Sequence, residues 1–259
     1  MSRNFSTSKK EDIFLKKGLG QNLLTDKNII KKIIDNVDID KNDIVLEIGP
    51  GLGAITLELS KKAKKVICIE KDKEMIEKLK EKVGDNVEII NADALDFIKN
   101  INLKKYKVVA NIPYYITSSI IQALLENTNQ PSDIYLMVQK EVARRICAKP
   151  GDMSVLAVSV QYYANPKILF NVSRNSFYPA PKVDSAFIQI KTKGIEKNEK
   201  FFKLVKKGFS HPRKKLANNL EEKEIVESWL EKNKLKAGER AENLSVSQWE
   251  DLFNLMKKP

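Results

Sequence analysis

The chain has 259 residues, is 42% hydrophobic and carries a formal net charge of +12 at pH 7. This length accommodates one large domain or one domain with a small appendage, and no run of 18 apolar residues predicts a membrane span. The amino-terminal segment lacks the apolar stretch of a signal peptide, and Glu11 and Asp12 argue against a transit peptide, so we expect a cytoplasmic protein without a membrane partner.

Short apolar segments alternate with helical patterns between residues 44 and 139. The apolar segments are nearly continuous, which is typical of strands covered on both faces. Strand–helix alternation at this spacing implies parallel crossovers and a doubly wound sheet. The predicted strands are 44–48, 65–69, 87–90, 107–110 and 133–138, and the predicted helices are 53–62, 72–82 and 117–126.

The pattern changes in the last third of the chain. Residues 153–164 favour another helix, although their β-branched content also allows a strand, and residues 166–172 and 183–190 predict an antiparallel pair. A polar linker follows Lys191, and everything beyond it has helical periodicity. We therefore predict two domains, 1–191 and 192–259. The apolar positions expected to face the core of the helical domain are Ile225, Trp229, Trp249, Phe253 and Met256.

The cysteine and histidine content excludes the familiar zinc sites. Cys68 and Cys147 lie far apart, each within an apolar periodic segment, and His211 is the single histidine. Both cysteines are predicted to be reduced core residues, because a cytoplasmic protein keeps its thiols reduced. No metal site of known spacing can be built from this set.

The first predicted strand runs into the sequence E-I-G-P-G-L-G-A-I-T, with glycines at positions 49, 51 and 53. Glycines there let the backbone turn tightly and approach a ligand at the carboxyl end of the sheet. The spacing is G-x-G-x-G rather than the dehydrogenase G-x-G-x-x-G, and Glu47 places an acid beside the loop. An acid disfavours a pyrophosphate and suits a cofactor with a cationic end, such as S-adenosylmethionine. A tight turn without a ligand would use the same glycines.

Acidic residues also follow the second and third predicted strands. Glu70 lies 19 residues after Gly51, where a carboxylate can accept the ribose hydroxyls of an adenosine-bearing cofactor. Alternatively, Glu70 is an exposed acid at the start of a helix. Asp93 can cap the next helix or bind the adenine amino group. Because these features follow successive strands, they favour a cofactor site at one edge of the sheet.

The fourth strand ends in Asn111-Ile112-Pro113-Tyr114. The exocyclic amino group of a base is a poor nucleophile, and two fixed acceptors can hold its protons so that its lone pair faces a methyl donor. The Asn111 side-chain oxygen and the Ile112 carbonyl can supply them, because Pro113 restricts Ile112 to an extended conformation. Tyr114 offers a flat face for a flipped base. The alternative is a loop in which Pro113 ends the strand and Tyr114 fills core.

These motifs together resemble the ribosomal RNA adenine N6,N6-dimethyltransferases of the KsgA/RsmA type, a family that includes the erythromycin-resistance methylases. The resemblance covers nearly the whole chain through L-G-Q-N-L-L (19–24), E-I-G-P-G-L-G-A-I-T, N-I-P-Y and S-F-Y-P-A-P-K-V-D-S (176–185). It implies a Rossmann-like class I S-adenosylmethionine-dependent methyltransferase sheet with a small all-helical C-terminal domain, an α/β fold. Leu19, Leu23 and Ile112 depart from the family pattern, but all three are apolar replacements.

The resemblance also implies roles for individual residues. Residues in contact with S-adenosylmethionine would be Asn22, Leu24, Gly49, Glu70, Asp93 and Asn111. Tyr114 and Phe177 would sandwich the target adenine. Without the resemblance, Phe177 in its F-x-P-x-P loop would be expected to pack beneath the prolines.

A basic segment suggests the partner. Residues 203–215 contain six basic residues and no acid, which favours contacts with RNA phosphates. The RNA-binding candidates are Lys206, Lys207, Arg213, Lys214 and Lys215. A solvated helix face is the alternative, and the net charge itself can reflect a composition with 40 Lys and 6 Arg.

Two stretches distinguish the branches of the family. V-Q-K-E-V-A-R-R-I (138–146) and F-S-H-P-R-K-K-L (209–216) are more similar to the ribosome-assembly branch than to the resistance branch. The resemblance then implies dimethylation of two adjacent adenosines near the 3′ end of 16S ribosomal RNA by a monomer bound to the small ribosomal subunit. The alternatives are a resistance methylase of large-subunit RNA and an assembly checkpoint factor.

Overall fold

The computed structural model describes residues 22–257. Residues 19–21 of the L-G-Q-N-L-L motif, including Leu19, and the amino-terminal segment used for the targeting prediction lie outside this range. The strands are β1 Leu23–Leu24, β2 Ile44–Ile48, β3 Lys65–Glu70, β4 Val87–Asn91, β5 Tyr106–Ala110, β6 Asp133–Gln139, β7 Ala164–Val172, β8 Phe177–Tyr178 and β9 Ser185–Thr192. The helices are α1 Lys27–Asn36, α2 Thr56–Lys62, α3 Lys73–Lys80, α4 Ala94–Lys99, α5 Thr117–Leu125, α6 Lys140–Ile146, α7 Val155–Tyr163, α8 Glu199–Gly208, α9 Leu216–Asn219, α10 Lys223–Lys232 and α11 Val246–Met256.

The main sheet has seven strands in the order β4-β3-β2-β5-β6-β9-β7. The first five strands in this order are mutually parallel, and β9 runs antiparallel to both of its neighbours. The apolar runs form buried strands because helices cover both faces, as the sequence predicted. The predicted α/β fold is confirmed, and so are the helix at 153–164 and the antiparallel pair that follows it.

The strand order reverses between β2 and β5, which are paired in register from Ile44↔Tyr106 to Ile48↔Ala110. In open α/β sheets a crevice forms at the carboxyl ends of the strands at such a point. The glycine loop follows β2 and the N-I-P-Y segment follows β5, so the two segments meet there. The topology therefore brings together two motifs that are about 60 residues apart in the sequence.

A second, two-stranded sheet closes over the same edge. β1 pairs antiparallel with β8, with Leu23 opposite Tyr178 and Leu24 opposite Phe177. The Thr25 amide also donates to the Ser176 carbonyl at 3.0 Å. This pairing fixes the start of the described chain beside the carboxyl edge of the main sheet.

The elements after β9 are helical, and they pack directly on the main domain. Phe201 of α8 stacks on Tyr162 of α7 with ring centroids 4.5 Å apart, and both belong to one continuous core. The division at residue 191 remains a prediction, because β9 extends to Thr192 and the core is shared across it.

One predicted core position in the helical part is wrong. Ile225 is 40% exposed, whereas Trp229 is buried as predicted. The buried stripe of α10 consists of Val226, Trp229 and Leu230, which have the i, i+3, i+4 spacing of one helix face. Ile225 lies one position out of phase with this stripe. On α11, Trp249 and Phe253 are buried as predicted, and Met256 packs against the core while partly exposed.

Both cysteines are free thiols, with Cys68 buried and Cys147 half-buried. In the described part of the chain, no group of three or more potential metal-ligating side chains is gathered into a site. Across the same residues, no helix combines the length and the hydrophobicity that a bilayer crossing requires.

Candidate active site

A cavity of about 310 Å³ opens at the carboxyl edge of the sheet where β2 and β5 end. Its walls come from the glycine loop, the ends of β3 and β4, the N-I-P-Y segment and β1. Nine of the residues predicted from the sequence line it, namely Asn22, Leu24, Gly49, Glu70, Asp93, Asn111, Ile112, Pro113 and Tyr114. The cofactor and amino-group motifs therefore form one site.

The glycine loop approaches both neighbouring segments closely. Gly49 has φ +70°, and a Cβ there would lie 3.7 Å from the Asn111 carbonyl oxygen. Gly51 has φ +54°, and a Cβ there would lie 3.0 Å from Leu23 Cδ2. Left-handed backbone of this kind favours glycine. The loop therefore needs glycine for its conformation at both positions, and at Gly51 also for its close contact with β1.

Glu70 is a buried acceptor that organises the loop. Its Oε2 accepts from the Gly51 amide at 3.3 Å, and its Oε1 accepts from the amides of Lys71 and Asp72 at 2.8 and 2.9 Å. The side chain is 8% exposed, so it is not the exposed helix-start acid that the sequence also allowed. A carboxylate has about four acceptor positions, so Glu70 Oε2 can accept one further hydrogen bond, such as one from a hydroxyl group.

Asp93 caps the next helix, one of the two roles that the sequence left open, and it lines the cavity, where a contact with the adenine amino group stays a prediction. Its Oδ1 accepts from the Leu95 amide at 2.9 Å and caps α4, while its Oδ2 pairs with Lys71 Nζ at 3.1 Å. The hydrogen bond from Lys71 lowers the pKa of Asp93, and the same bond raises the pKa of Lys71. Both groups line the cavity, and their opposite charges offset each other there.

Glu47 lies beneath the glycine loop and is 2% exposed. Burial raises its pKa to about 7, and the neighbouring Glu70 carboxylate adds to the increase. The Cys68 thiol donates to Glu47 Oε2 at 3.6 Å. Glu47 is thus an acid whose charge depends on pH near neutrality, at a position that lines the cavity.

The charges of the lining fit a cationic cofactor. Among residues 22–257, the charged residues lining the cavity are Glu47, Glu70, Lys71 and Asp93, and Lys71, the one cation of this set, is paired with Asp93. A pyrophosphate would meet unpaired carboxylates, whereas the ammonium and sulfonium groups of S-adenosylmethionine would be attracted to them. The residues present therefore fit S-adenosylmethionine.

The Asn111 amide is oriented by a backbone group across the cavity. Its Nδ2 donates to the Asn22 carbonyl oxygen at 3.3 Å, and this contact turns Oδ1 away from Asn22. Within residues 22–257, neither Asn111 Oδ1 nor the Ile112 carbonyl oxygen accepts a hydrogen bond. Two acceptors on neighbouring residues are thus available, and both residues line the cavity together with the glycine loop.

Tyr114 is fixed by a residue that the sequence motifs did not single out. Its phenolic oxygen lies 2.5 Å from Ser185 Oγ, at the start of β9. Burial raises the pKa of Tyr114, although the Ser185 bond opposes that increase. The phenol is therefore neutral at physiological pH, and Tyr114 can act through its ring face rather than as a base.

The structure does not bring Phe177 to the cavity. Phe177 is 4% exposed and belongs to the core cluster beneath β8, while its neighbour Tyr178 is 62% exposed and lines the cavity. Successive residues of a strand point to opposite faces, so only one of the two can face the cavity. In this conformation Phe177 packs in the core, as the residue pattern alone suggested, and its role against the target adenine remains a prediction.

The basic segment forms the end of α8 and the following loop. Lys206, Arg213, Lys214 and Lys215 are exposed, whereas Lys207 is half-buried and paired with Glu221. Asn219 Nδ2 donates to the carbonyls of Gly208 and His211 at 2.6 and 3.1 Å and fixes the loop. The exposed cations are thus available to a partner, and Lys207 is partly neutralised within the chain.

Comparison with known proteins agrees with this chemistry. Residues 14–258 match the family model described as ribosomal RNA adenine dimethylase. The chain belongs to the ribosomal RNA adenine dimethylase family. A relative from Fusobacterium nucleatum named ribosomal RNA small subunit methyltransferase A is 41% identical, with 93% of this chain and 97% of that protein covered. A relative of the same name from Alkaliphilus oremlandii is 38% identical over 100% of this chain and 99% of its own length.

Two solved structures are similar in fold to this chain. A dimethyladenosine transferase from Plasmodium falciparum has a TM-score of 0.76 at 31% identity, covering 89% of this chain and 95% of its own. The 23S rRNA methyltransferase ErmE has a TM-score of 0.78 at 28% identity, covering 92% and 100%. The class I methyltransferase fold is thereby confirmed, and the protein is an S-adenosylmethionine-dependent ribosomal RNA adenine dimethyltransferase.

Several residues of this dimethylase site were not predicted from sequence. Lys71, Tyr115 and Tyr178 line the cavity, and Ser185 holds Tyr114. Ser185 ends the S-F-Y-P-A-P-K-V-D-S motif, so the motif itself carried a signal. The pairing of Ser185 with Gln139 at the catalytic edge depends on sheet topology, which a local pattern does not contain.

Proposed function

We propose that the protein dimethylates N6 of two adjacent adenosines near the 3′ end of 16S ribosomal RNA, acting as a monomer on the small ribosomal subunit in the cytoplasm. The small-subunit names of the curated relatives support this target. The observation that carries the chemistry is the orientation of Asn111 by the Asn22 carbonyl, which leaves Oδ1 without a hydrogen-bond donor in the described chain at a residue that lines the cavity together with the glycine loop.

The residues of the site make the adenine amino nitrogen, a weak nucleophile, more reactive. The lone pair of an adenine amino nitrogen is delocalised into the ring, and S-adenosylmethionine supplies an electrophilic methyl group on its sulfonium. Asn111 Oδ1 and the Ile112 carbonyl accept the two amino protons, which favours a pyramidal nitrogen with its lone pair free. Pro113 restricts Ile112, and the Tyr114 ring stacks on the base. Positioning and fixed dipoles thus lower the barrier.

Proton transfer needs no strong base at this site. In the first transfer the amino nitrogen would form a bond to the methyl carbon while the carbon–sulfur bond of the donor breaks and its electron pair stays on sulfur as a thioether, so the positive charge passes to nitrogen. Asn111 Oδ1 accepts a hydrogen bond from that nitrogen while one proton leaves to water. The neutral Tyr114 phenol is already bonded to Ser185 and takes no proton. The remaining N–H can be held by one of the two acceptors, and the second methyl group then comes from a second molecule of S-adenosylmethionine.

The basic segment supplies affinity rather than chemistry in this proposal. Lys206, Arg213, Lys214 and Lys215 are exposed and free to meet phosphates, and Lys207 completes the set despite its bond to Glu221. Phosphate contacts position RNA without reading its sequence. Binding to the subunit would therefore persist when the amino-group acceptor is removed.

Transfer of a labelled methyl group tests the proposal. The protein is incubated with tritiated S-adenosylmethionine and small subunits lacking the modification, and label is expected in N6,N6-dimethyladenosine. Asn111→Ala should reduce transfer by a factor of about 10²–10³, the usual effect of losing one preorganised dipole, with subunit binding retained. Asn36→Ala removes a similar side-chain-to-backbone bond on α1 and is the matched control.

Other outcomes point to the alternatives. Label that enters only protein-free large-subunit RNA would indicate a resistance methylase. Subunit binding without label in any adenine, by the wild-type protein, would contradict the enzymatic proposal and favour an assembly checkpoint.

A further inference from the structure

Two aromatic side chains at the cavity are not used by the chemistry above. Tyr115 is 70% exposed and Tyr178 is 62% exposed, and both line the cavity. The other tyrosines within residues 22–257 are buried or half-buried, namely Tyr106, Tyr114, Tyr135, Tyr162 and Tyr163. The exposed tyrosines of the described chain are thus concentrated at one cavity, although water-exposed aromatic surface is unfavourable without a partner.

Tyr115 is mounted on the segment that holds the target base. It belongs to the 3-10 turn Tyr114–Ile116 that leads into α5. The Tyr115 phenol also lies near Lys71, whose pKa is raised chiefly by its Asp93 bond and additionally by this phenol. Tyr115 therefore extends outward from the same turn whose Tyr114 is fixed to Ser185.

Tyr178 comes from a different wall. It is paired with Leu23 in the small sheet, and Leu23 Cδ2 in turn lies against the glycine loop at Gly51. Phe177 anchors this strand in the core, and strand alternation places Tyr178 on the opposite face. Its backbone is thus held firmly while its ring stays exposed.

We propose that Tyr115 and Tyr178 form a stacking surface for the nucleotide base that neighbours the target adenine. This inference rests on the proposed function, in which the two target adenosines are adjacent. Turning one adenine into the cavity separates it from its neighbour and removes their mutual stacking. The neighbour remains at the cavity mouth because one phosphodiester joins the two nucleotides. Exposed aromatic rings there replace the lost stacking.

The chemistry of the surface favours RNA as its occupant. Unpaired bases in RNA loops are commonly received on tyrosine and other aromatic rings, and a net charge of +12 attracts a polyanion. Stacking of one base on an aromatic side chain changes affinity by about fivefold to a hundredfold. Two rings on separate walls can serve in turn while each adenosine of the pair occupies the cavity.

The proposal is tested with full-length protein by combining removal of a base from the RNA with removal of the two rings, and by asking whether the two effects on binding are coupled. The probe is a fluorescein-labelled RNA hairpin with two adjacent adenosines in its loop, and two further hairpins each carry one of these as an abasic nucleotide. Binding is measured at low ionic strength, where phosphate contacts support affinity. The proteins are wild type, Tyr115→Leu, Tyr178→Leu and the double variant. Tyr115→Phe and Tyr178→Phe retain the ring, and Val183→Ala alters another exposed apolar residue as a control.

If the rings stack on the neighbouring base, removing the base should matter only when the rings are present. The abasic change should weaken wild-type binding by about fivefold or more, and weaken binding by the double leucine variant by less than twofold. The phenylalanine variants and Val183→Ala should behave as wild type. Equal abasic penalties in wild type and the double variant would overturn the proposal. So would weaker S-adenosylmethionine binding by the leucine variants with RNA coupling unchanged, since the rings would then cover the cofactor.

A separate methyl-transfer assay distinguishes failure of the stacking proposal from failure of the proposed function. Methyl transfer by the wild-type protein to undermethylated small subunits is assayed with the same preparations. Transfer with unchanged coupling overturns the stacking surface alone, whereas absence of transfer counts against the enzymatic proposal.

Discussion

The phenolic oxygen of Tyr114 and the hydroxyl oxygen of Ser185 are 2.5 Å apart, although the two residues are 71 positions apart in the sequence. Ser185 is fully buried and pairs with Gln139 of β6. The bond therefore ties the N-I-P-Y segment, which follows a parallel strand, to the antiparallel part of the sheet. The orientation of the Tyr114 ring is set by the fold rather than by its own loop.

Removal of the Tyr114 hydroxyl tests this relationship. Tyr114→Phe keeps the ring but leaves the buried Ser185 hydroxyl without a partner, which costs about 1–3 kcal/mol of unfolding free energy. The free energy is measured by urea denaturation. Methyl transfer should fall less than in Asn111→Ala, because the stacking face is retained.

The double variant Tyr114→Phe/Ser185→Ala supplies the control. Its stability should exceed that of Tyr114→Phe, since both polar partners are then replaced together. A double variant that is less stable than Tyr114→Phe would show that the bond does not account for the loss.

Replacement of Glu70 by glutamine should weaken S-adenosylmethionine binding. The glutamate accepts from the amides of Gly51, Lys71 and Asp72. In glutamine one of the two oxygens is replaced by an NH₂ group, which cannot accept from these amides. Hydrogen bonds to a charged acceptor contribute about 1.5–3 kcal/mol each, so the Kd should rise roughly tenfold to a hundredfold. Isothermal titration calorimetry measures it.

Glu77→Gln is the matched control, because Glu77 is an exposed helix residue paired with Lys80. Its S-adenosylmethionine affinity should equal that of the wild type. Unchanged affinity in Glu70→Gln as well would contradict the assignment of Glu70 to the cofactor site.

Glu47 should make stability fall as pH rises towards neutrality. Its pKa is about 7 in the fold, against an ordinary glutamate pKa of 4.5, because burial disfavours the carboxylate. Between these values the unfolded chain releases a proton that the folded chain keeps, so the free energy of unfolding decreases with pH and then levels off above about 7. The full change is about 3 kcal/mol. Urea denaturation from pH 4.5 to 8 measures it.

Glu47→Gln isolates this effect, since the amide does not titrate. The difference in unfolding free energy between wild type and Glu47→Gln should change over the pH 4.5–7 window. Glu58→Gln replaces a more exposed carboxylate on α2, and its profile should run parallel to that of the wild type. A Glu47→Gln profile parallel to the wild type would contradict the raised pKa.

The sequence predicted the sheet well because parallel strands covered on both faces must be apolar along their whole length, as in β2 and β5. It misplaced Ile225 because a single i, i+4 pair does not fix the phase of a helix, and the adjacent Val226 takes the buried position. The motifs located Asn111 and Glu70, because each lies at the carboxyl end of a parallel strand and a local pattern identifies such strand ends. They did not reveal Ser185 or Tyr178, whose positions depend on pairing between distant segments.

Neutralising the basic segment should reduce the salt dependence of RNA binding. Each phosphate contact contributes about 0.7–0.9 to the slope of log K against log salt. The variants Lys206→Gln, Arg213→Gln, Lys214→Gln and Lys215→Gln should each lower that slope, because these side chains are exposed and available. Fluorescence anisotropy with small-subunit RNA at several salt concentrations measures the slope.

Lys207→Gln serves as the internal control in the same segment. Its ammonium is already paired with Glu221, so its removal should lower the slope by less than removal of an exposed neighbour. Cations in the last turn of α8 also stabilise the helix dipole by about 0.3–1 kcal/mol, and this effect would appear in stability rather than in the salt slope. Each lost phosphate contact must reduce counterion release and therefore the slope. Equal slopes for all five variants and the wild type would thus show that the segment makes no phosphate contacts and is a solvated surface.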